Sequence, residues 1–217
     1  ESRFVIVSFC LFSLWINRFL VNLELLFENF SKHIQLTEAE KAIVAALAVE
    51  RKVKKGQFLV HVGAICRSTH FVTKGAIYSY FTDLAGDSHI VQFAVEDWWI
   101  SEMKSFFMQV PARFNVQALE DSTIIEFPFE TLERLYAQVP KIERYFRIIT
   151  INGFITFQDR IVQNMSMTVE ERYLAFHQKY SKLELRFPQK MIAEYLGVSA
   201  EFLSKVKKRL AEKEMGK

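Results

Sequence analysis

The sequence predicts an α+β protein: short helices, then a β-rich unit, one long helix, and a C-terminal helical module. Three observations predict it. Between residues 51 and 129 apolar residues alternate, and short runs rich in β-branched and aromatic side chains are split by Gly and Asp. From Lys141 to about Met165 the apolar spacing becomes helical and covers more than one face. From Pro188 to Leu210 two short amphipathic runs flank Gly197-Val198-Ser199.

Taken in order, the chain opens on Phe4 to Ile16, 13 residues of nearly unbroken apolar character. That is short of the about 20 residues that span a bilayer. It reads as an anchor, as a buried helix, or as a segment upstream of the native start. The third reading is preferred, with residues 1–20 an apolar and non-native extension and Val21 the natural start. Leu23 to His33 carries Leu23, Leu26, Phe27 and Phe30 on one helical face. Thr37 followed by Glu38 and Glu40 is an N-cap with acids in the first turn, so a helix runs from there to about Ala48.

Strands are expected over 51–62, 69–72, 76–82, 88–95, 114–119 and 122–127, as an antiparallel sandwich, barrel or roll. Glu96 to Gln109 interrupts them with Trp98, Trp99, Phe106, Phe107 and Met108 and reads as a loop plus an inserted short helix. Its aromatic residues are expected mainly in the core. Phe129 to Gln138 is a short helix that stops before Pro140, and the long helix follows. Being apolar on two faces, it suits packing against its own unit on one side and a second chain on the other. Thr168, with Glu170 and Glu171 behind it, caps a helix to about Tyr180.

The last stretch is a helix-turn-helix pattern. Met191, Ile192, Tyr195 and Leu196 line one helix; Phe202, Leu203, Val206 and Leu210 line the next. Gly197 can adopt the left-handed conformation that ends a helix, Ser199 can cap the second, and Val198 is expected to be buried between them. The polar side of the second helix begins with Ala200, Glu201 and Ser204 and continues into Lys205, Lys207, Lys208 and Arg209. Short or hydrogen-bonding side chains ahead of cations suit a helix that enters a DNA major groove. An ordinary helical hairpin with a solvated basic face gives a similar pattern.

Charge favours the first reading. Residues 168–217 hold 11 Lys/Arg against 7 Asp/Glu (+4), and residues 1–167 hold 17 against 18 (−1). The basic balance therefore sits in the last quarter, as suits a polyanionic partner. Two cysteines, Cys10 and Cys66, are too few for a four-thiolate zinc site or an iron–sulfur cluster. His33, His61, His70, His89 and His177 show no metal-ligand spacing, so no metal site is expected. A reducing, cytoplasmic setting is expected, and association with a membrane is not.

This order of parts resembles the Crp/Fnr family of bacterial transcription regulators over about residues 22–210. The resemblance rests on VKKGQFLVHVG, FVTKGAIYSYF, GDSHIVQFAVEDWWISEM and above all PQKMIAEYLGVSAEFLSKVKKRL, and it looks like the branch common in Bacteroidetes-type genomes. It implies a double-stranded, cyclic-nucleotide-binding-like β-roll as sensor over residues 21–140. It further implies a dimerisation helix over 141–166 and a helix-turn-helix DNA-binding domain over 167–217, where the sequence departs from many members in that a C-terminal wing is not expected. The partners it implies are double-stranded DNA, a second copy of the chain and RNA polymerase.

Carried over by position, Ala200, Glu201 and Lys205 face base edges, and Ser199 and Ser204 are expected among the DNA-binding residues. Gln189, Lys190, Lys205, Lys207, Lys208 and Arg209 supply phosphate contacts. Ala200 stands where many relatives have Arg, which implies a different base sequence. In the sensor, Ser101-Glu102 stands where a Gly-Glu pair meets the ribose, so the carboxylate is kept. Ten residues on, Ala112-Arg113 stands where an Arg-Ser or Arg-Thr pair holds the cyclic phosphate. Losing a buried guanidinium partner costs about 2–5 kcal/mol, and Arg113 is displaced to the opposite face of an extended segment.

The sequence thus predicts a non-enzymatic, homodimeric DNA-binding regulator that does not bind cyclic AMP in the usual way. It has no known cofactor and answers to an unidentified small-molecule effector, if to any. The alternatives are a cyclic-nucleotide-gated regulator using Glu102 and Arg113, and, in another class, a membrane-associated or cupin-like small-molecule-binding protein.

Overall fold

The computed structural model describes residues 23–215. The 1–20 extension and Cys10 lie outside them. In chain order the elements are α1 (23–31), α2 (Glu38–Leu47), β1 (Val49–Val53), β2 (Phe58–Val60), β3 (Ser68–Lys74), β4 (Ile77–Thr82), β5 (Ser88–Ala94), β6 (Trp99–Ile100), α3 (Met103–Met108), β7 (Asn115–Ala118), β8 (Ser122–Pro128), α4 (Phe129–Gln138), α5 (Pro140–Ser166), α6 (Val169–Glu184), α7 (Gln189–Leu196) and α8 (Ala200–Met215). Two compact units result: one runs up to Ile77 and resumes over Ala94–Ile148, the other comprises Tyr78–Phe93 and Ile149–Lys217.

The first unit is built on an antiparallel sheet in the order β1-β8-β3-β6. In its registers Arg51 faces Ile124, and Phe71 faces Ile125 on one side and Trp99 on the other. A second ladder pairs β2 with β7. Phe71, Val72, Ile124, Ile125 and Phe127 are fully buried, and since consecutive strand residues point to opposite faces, both faces of β3 and β8 are covered there. The alternating run expected over 51–62 is broken where Gln57 N–H donates to the Lys54 carbonyl, with Gly56 at φ 79°. Gly75 lies at φ 106° hard against Ser122, whose Cα is 2.6 Å from where a Cβ would stand, so no side chain fits there.

The interrupting segment 96–109 contains one strand that alternation did not reveal. The two-residue β6 pairs with β3, and its Trp99 ring packs on Phe71, Phe127 and Phe146. The Trp99 indole donates to the Tyr145 hydroxyl at 2.8 Å, and that hydroxyl donates to Asn29 of α1. Phe106 is buried against Phe129, as a core role requires, whereas Phe107 and Met108 are exposed. Thr37 forms the expected N-cap as a full capping box with Glu40.

In the second unit β4 and β5 are hydrogen-bonded neighbours. Their turn is tied by Asp83, which accepts from the Ala85 and Asp87 backbone and from the His89 ring. Thr168 caps α6 in a second capping box with Glu171. Helix α6 outruns its expected end by four residues through a kink at Tyr180 (φ −133°, ψ 32°). The unit's core joins Phe93 of β5 to Phe187 and Tyr195, with Phe176, Leu183, Ile192, Leu196, Leu203 and Val206 also buried.

Candidate nucleic-acid interface

The turn between α7 and α8 is made as its residue types dictate. Gly197 closes α7 at φ 71°, ψ 37°, and its N–H reaches the Ala193 and Glu194 carbonyls. The Ser199 hydroxyl accepts from the Phe202 N–H at 3.2 Å and starts α8. Ile192, Ala193 and Leu196 of α7 and Leu203 and Val206 of α8 are buried, and the two helices pack on each other. Val198 is half-buried rather than enclosed, since the turn is short and lies at the surface.

Burying Leu203 and Val206 leaves the opposite side of α8 open. Glu201, Ser204, Lys205, Lys208 and Arg209 are exposed there, with Ala200 half-buried at the start. Gln189 and Lys190 are exposed on the first turn of α7, and Pro188 offers that turn no side-chain cap. The structure thus leaves the predicted residues of α8 on the side of that helix away from Leu203 and Val206. Ser199 differs from the rest, because its hydroxyl is engaged as the α8 cap. The Glu201 carboxyl is held below the ordinary range by its own backbone N–H and by the Ser199 hydroxyl, so it is an acceptor at neutral pH.

Lys207 points elsewhere. It pairs with Glu184 at 3.4 Å and lies 5.4 Å over the Tyr173 ring, fastening α8 to α6. Phe202 also departs from expectation. Its spacing from Val206 suggests an inward side chain, yet it is 45 % exposed beside the cations of α8. Position 202 falls at the edge of the helical stripe, where periodicity alone does not decide between inside and outside.

In the first unit Glu102 and Arg113 are not brought together as a ligand pair. Glu102 is 2 % exposed and is the N-cap of α3, accepting from the Ser105 N–H. Ser105 accepts from the Cys66 N–H at 2.8 Å and donates to the Val110 carbonyl at 2.5 Å. Ala112 is buried and its backbone pairs with Gly63 and Ala64, while Arg113 is exposed. One oxygen of the carboxylate, Oε2, accepts from the protein's own helix, and no guanidinium accompanies Ala112 inward. The carboxylate expected to meet a ribose is thus present and buried, and the guanidinium expected to meet a cyclic phosphate is not at position 112.

The cyclic nucleotide-binding domain model matches residues 50–139. Among relatives, the anaerobic regulatory protein of Aggregatibacter actinomycetemcomitans is 28 % identical over 171 residues, covering 73 % of this chain and 66 % of that protein. The fumarate and nitrate reduction regulatory protein of Vibrio cholerae is 28 % identical over 180 residues, covering 77 % and 71 %. The chain is similar to regulators of the Crp/Fnr family.

Solved structures of Crp/Fnr members share the fold. FixK2 of Bradyrhizobium japonicum superposes with a TM-score of 0.68 at 18 % identity, covering 77 % of this chain and 86 % of that one. The c-di-GMP-responsive global regulator CLP of Xanthomonas campestris gives 0.68 at 13 % identity, covering 82 % and 93 %. The chain spans about two thirds of the Aggregatibacter relative's length. An iron–sulfur cluster held by thiolates does not fit this chain's donors: the sequence has two cysteines, and Cys66 is buried with its thiol pushed up by burial. Among the described residues no cluster of three His, Cys, Asp or Glu could hold a metal ion, and no helix is long and apolar enough to cross a membrane.

Proposed function

We propose that this protein is a homodimeric, DNA-binding transcription regulator, not an enzyme, that acts in the cytoplasm together with RNA polymerase. Its β-roll sensor answers to something other than cyclic AMP bound in the usual way. The observation that carries this reading is the division of α8. Leu203 and Val206 are buried, and Glu201, Ser204, Lys205, Lys208 and Arg209 stand open on the other side.

In this reading α8 lies in the major groove. Glu201 accepts from a cytosine amino group and Lys205 donates to guanine. Phe202 rests on a thymine methyl, the apolar feature that groove offers. Lys208 and Arg209, with Gln189 and Lys190 at the uncapped start of α7, hold phosphates and set the register. Ser199 contributes by fixing where α8 begins.

Dimerisation is supported by α5. Ile151, Ile155, Val162 and Met165 are exposed at alternating three- and four-residue steps through Gln158, with Phe154 and Ile161 alongside. That is a coiled-coil seam awaiting a partner, and a second copy supplies an identical seam. Two recognition helices then enter successive major grooves about 34 Å apart.

Selection on random duplexes, followed by titration of the selected site at several salt concentrations, tests the proposal. A palindromic site, with a salt slope that falls by about one unit in Lys205→Ala, is the expected result. Failure to select any site, with only sequence-independent binding, overturns it.

A further inference from the structure

We propose that a recess of about 50 Å³ between α5, α6 and α7, lined by Arg160, Arg172 and Lys179, binds a small oxyanion: the phosphate or carboxylate group of a metabolite. The site is separate from the open face of α8 and from Glu102 and Arg113.

The argument begins with uncompensated charge. The Arg160 guanidinium donates to three neutral carbonyls, those of Val91 at 2.8 Å, Ile90 at 2.9 Å and Tyr195 at 2.8 Å. Arg172 donates through Nη1 to the Asn164 side-chain oxygen at 2.7 Å, again a neutral group. Among the described residues neither guanidinium forms an ion pair with a carboxylate. Guanidinium groups shielded from water are ordinarily matched by an anion. Here the half-buried Arg160 and Arg172 line one recess together with Lys179, and Asp159 is the one acid in the lining.

The second observation is independent of charge. The Arg172 Nε–H is buried and has no hydrogen-bond acceptor. A buried donor left unmade is costly and rare, and it marks the place of an absent acceptor. A phosphate or carboxylate oxygen is the acceptor best suited to a guanidinium edge.

Size sets the ligand class. The recess is far below the roughly 300–1,000 Å³ of a pocket for a whole small molecule. It takes one anionic group, and the remainder of a larger metabolite would extend into solvent. Because the lining comes from α5, α6 and α7, an occupant favours the arrangement of those helices seen here, to the extent that it binds this arrangement better than others.

Calorimetric titration of the full chain with inorganic phosphate and, separately, with succinate, at constant ionic strength set by chloride, tests the site. Saturable binding of either probe, one per chain, is expected; phosphate alone indicates a phosphoryl ligand and succinate alone a carboxylate. Arg172→Gln should weaken that binding at least tenfold, while Lys52→Ala, on the surface of the first unit, leaves it unchanged. A nuclear magnetic resonance titration covers the case of a poorly folded variant: the Arg172 Nε–H signal of the unaltered protein should shift as the probe saturates. Absence of saturable binding by both probes overturns the proposal, as does an Arg172 signal that stays put or an Arg172→Gln variant that binds as tightly as the parent.

Discussion

The Arg160 guanidinium lies 3.9 Å over the Tyr195 ring and also donates to the Tyr195 main-chain carbonyl at 2.8 Å. With the bonds to Ile90 and Val91, one side chain of α5 ties together strand β5 and helix α7. Burial lowers the guanidinium's pKa, but an arginine stays charged at any working pH. Arg160→Ala strands three carbonyls and removes a ring contact. We expect a loss of about 2–4 kcal/mol, since each stranded buried group costs roughly 1–3 kcal/mol and the surroundings partly relax. Arg160→Lys recovers little, because an ammonium cannot reach three carbonyls in the planar fork. Urea denaturation of the three proteins measures this, and equal midpoints would refute it.

Glu102 caps α3 by accepting from the Ser105 N–H. Glu102→Ala should cost about 1 kcal/mol, up to about 2, the usual range for a lost N-cap. The unaltered protein should show no saturable binding of cyclic AMP. Calorimetry and thermal unfolding check both halves. Cyclic AMP binding that disappears in Glu102→Ala would reverse the assignment.

His70 makes stability depend on pH. Its ring is buried, with Nδ1 3.2 Å from the Ile100 carbonyl and Nε2 3.8 Å from Glu126. Burial pushes its pKa down to about 4, outweighing the hydrogen bond to the Ile100 carbonyl and assisted by the Arg51 charge. The folded value lies below the unfolded one of about 6.5, so below pH 6.5 the unfolded chain takes up a proton that the folded chain refuses. Stability should fall as pH drops from 6.5 to about 4, by up to about 3 kcal/mol from this group. Denaturation midpoints for the parent and His70→Gln across that window decide the matter. The variant should show a shallower decline, and parallel curves would count against His70 as the cause.

The α5 seam should be the dimer contact. Ile155→Asp places a charge in the middle of that seam, where desolvating it without a partner is unfavourable. Sedimentation should show a monomer, with weaker binding to a palindromic site and an unchanged helical content. A variant that remains dimeric would move the contact elsewhere.

Much of the chain was legible before folding because local chemistry decides it. Both capping boxes, at Thr37 and Thr168, and the Gly197-Val198-Ser199 turn involve residues within four positions of each other. Alternation marked most strands, since one buried face enforces it. It missed β6, because two residues are too few to alternate. The candidate interface was legible for a similar reason: Leu203 and Val206 on one side of α8 leave Glu201 and Lys205 on the other. Phe202 was misplaced because its position borders both sides.

What the sequence determined by itself is the order of elements, the basic character of the last quarter and the identity of the turn residues, all consequences of spacing and composition. Tertiary structure alone decided what distant side chains do. Glu102 became a cap because α3 begins beside it, Lys207 turned to Glu184 across 23 positions, and Arg160 met Ile90, Val91 and Tyr195 from as far as 70 positions away. The physical reason is that a long polar side chain takes its role from whichever buried acceptor it can reach, and the chain path, not the local pattern, sets which acceptors those are.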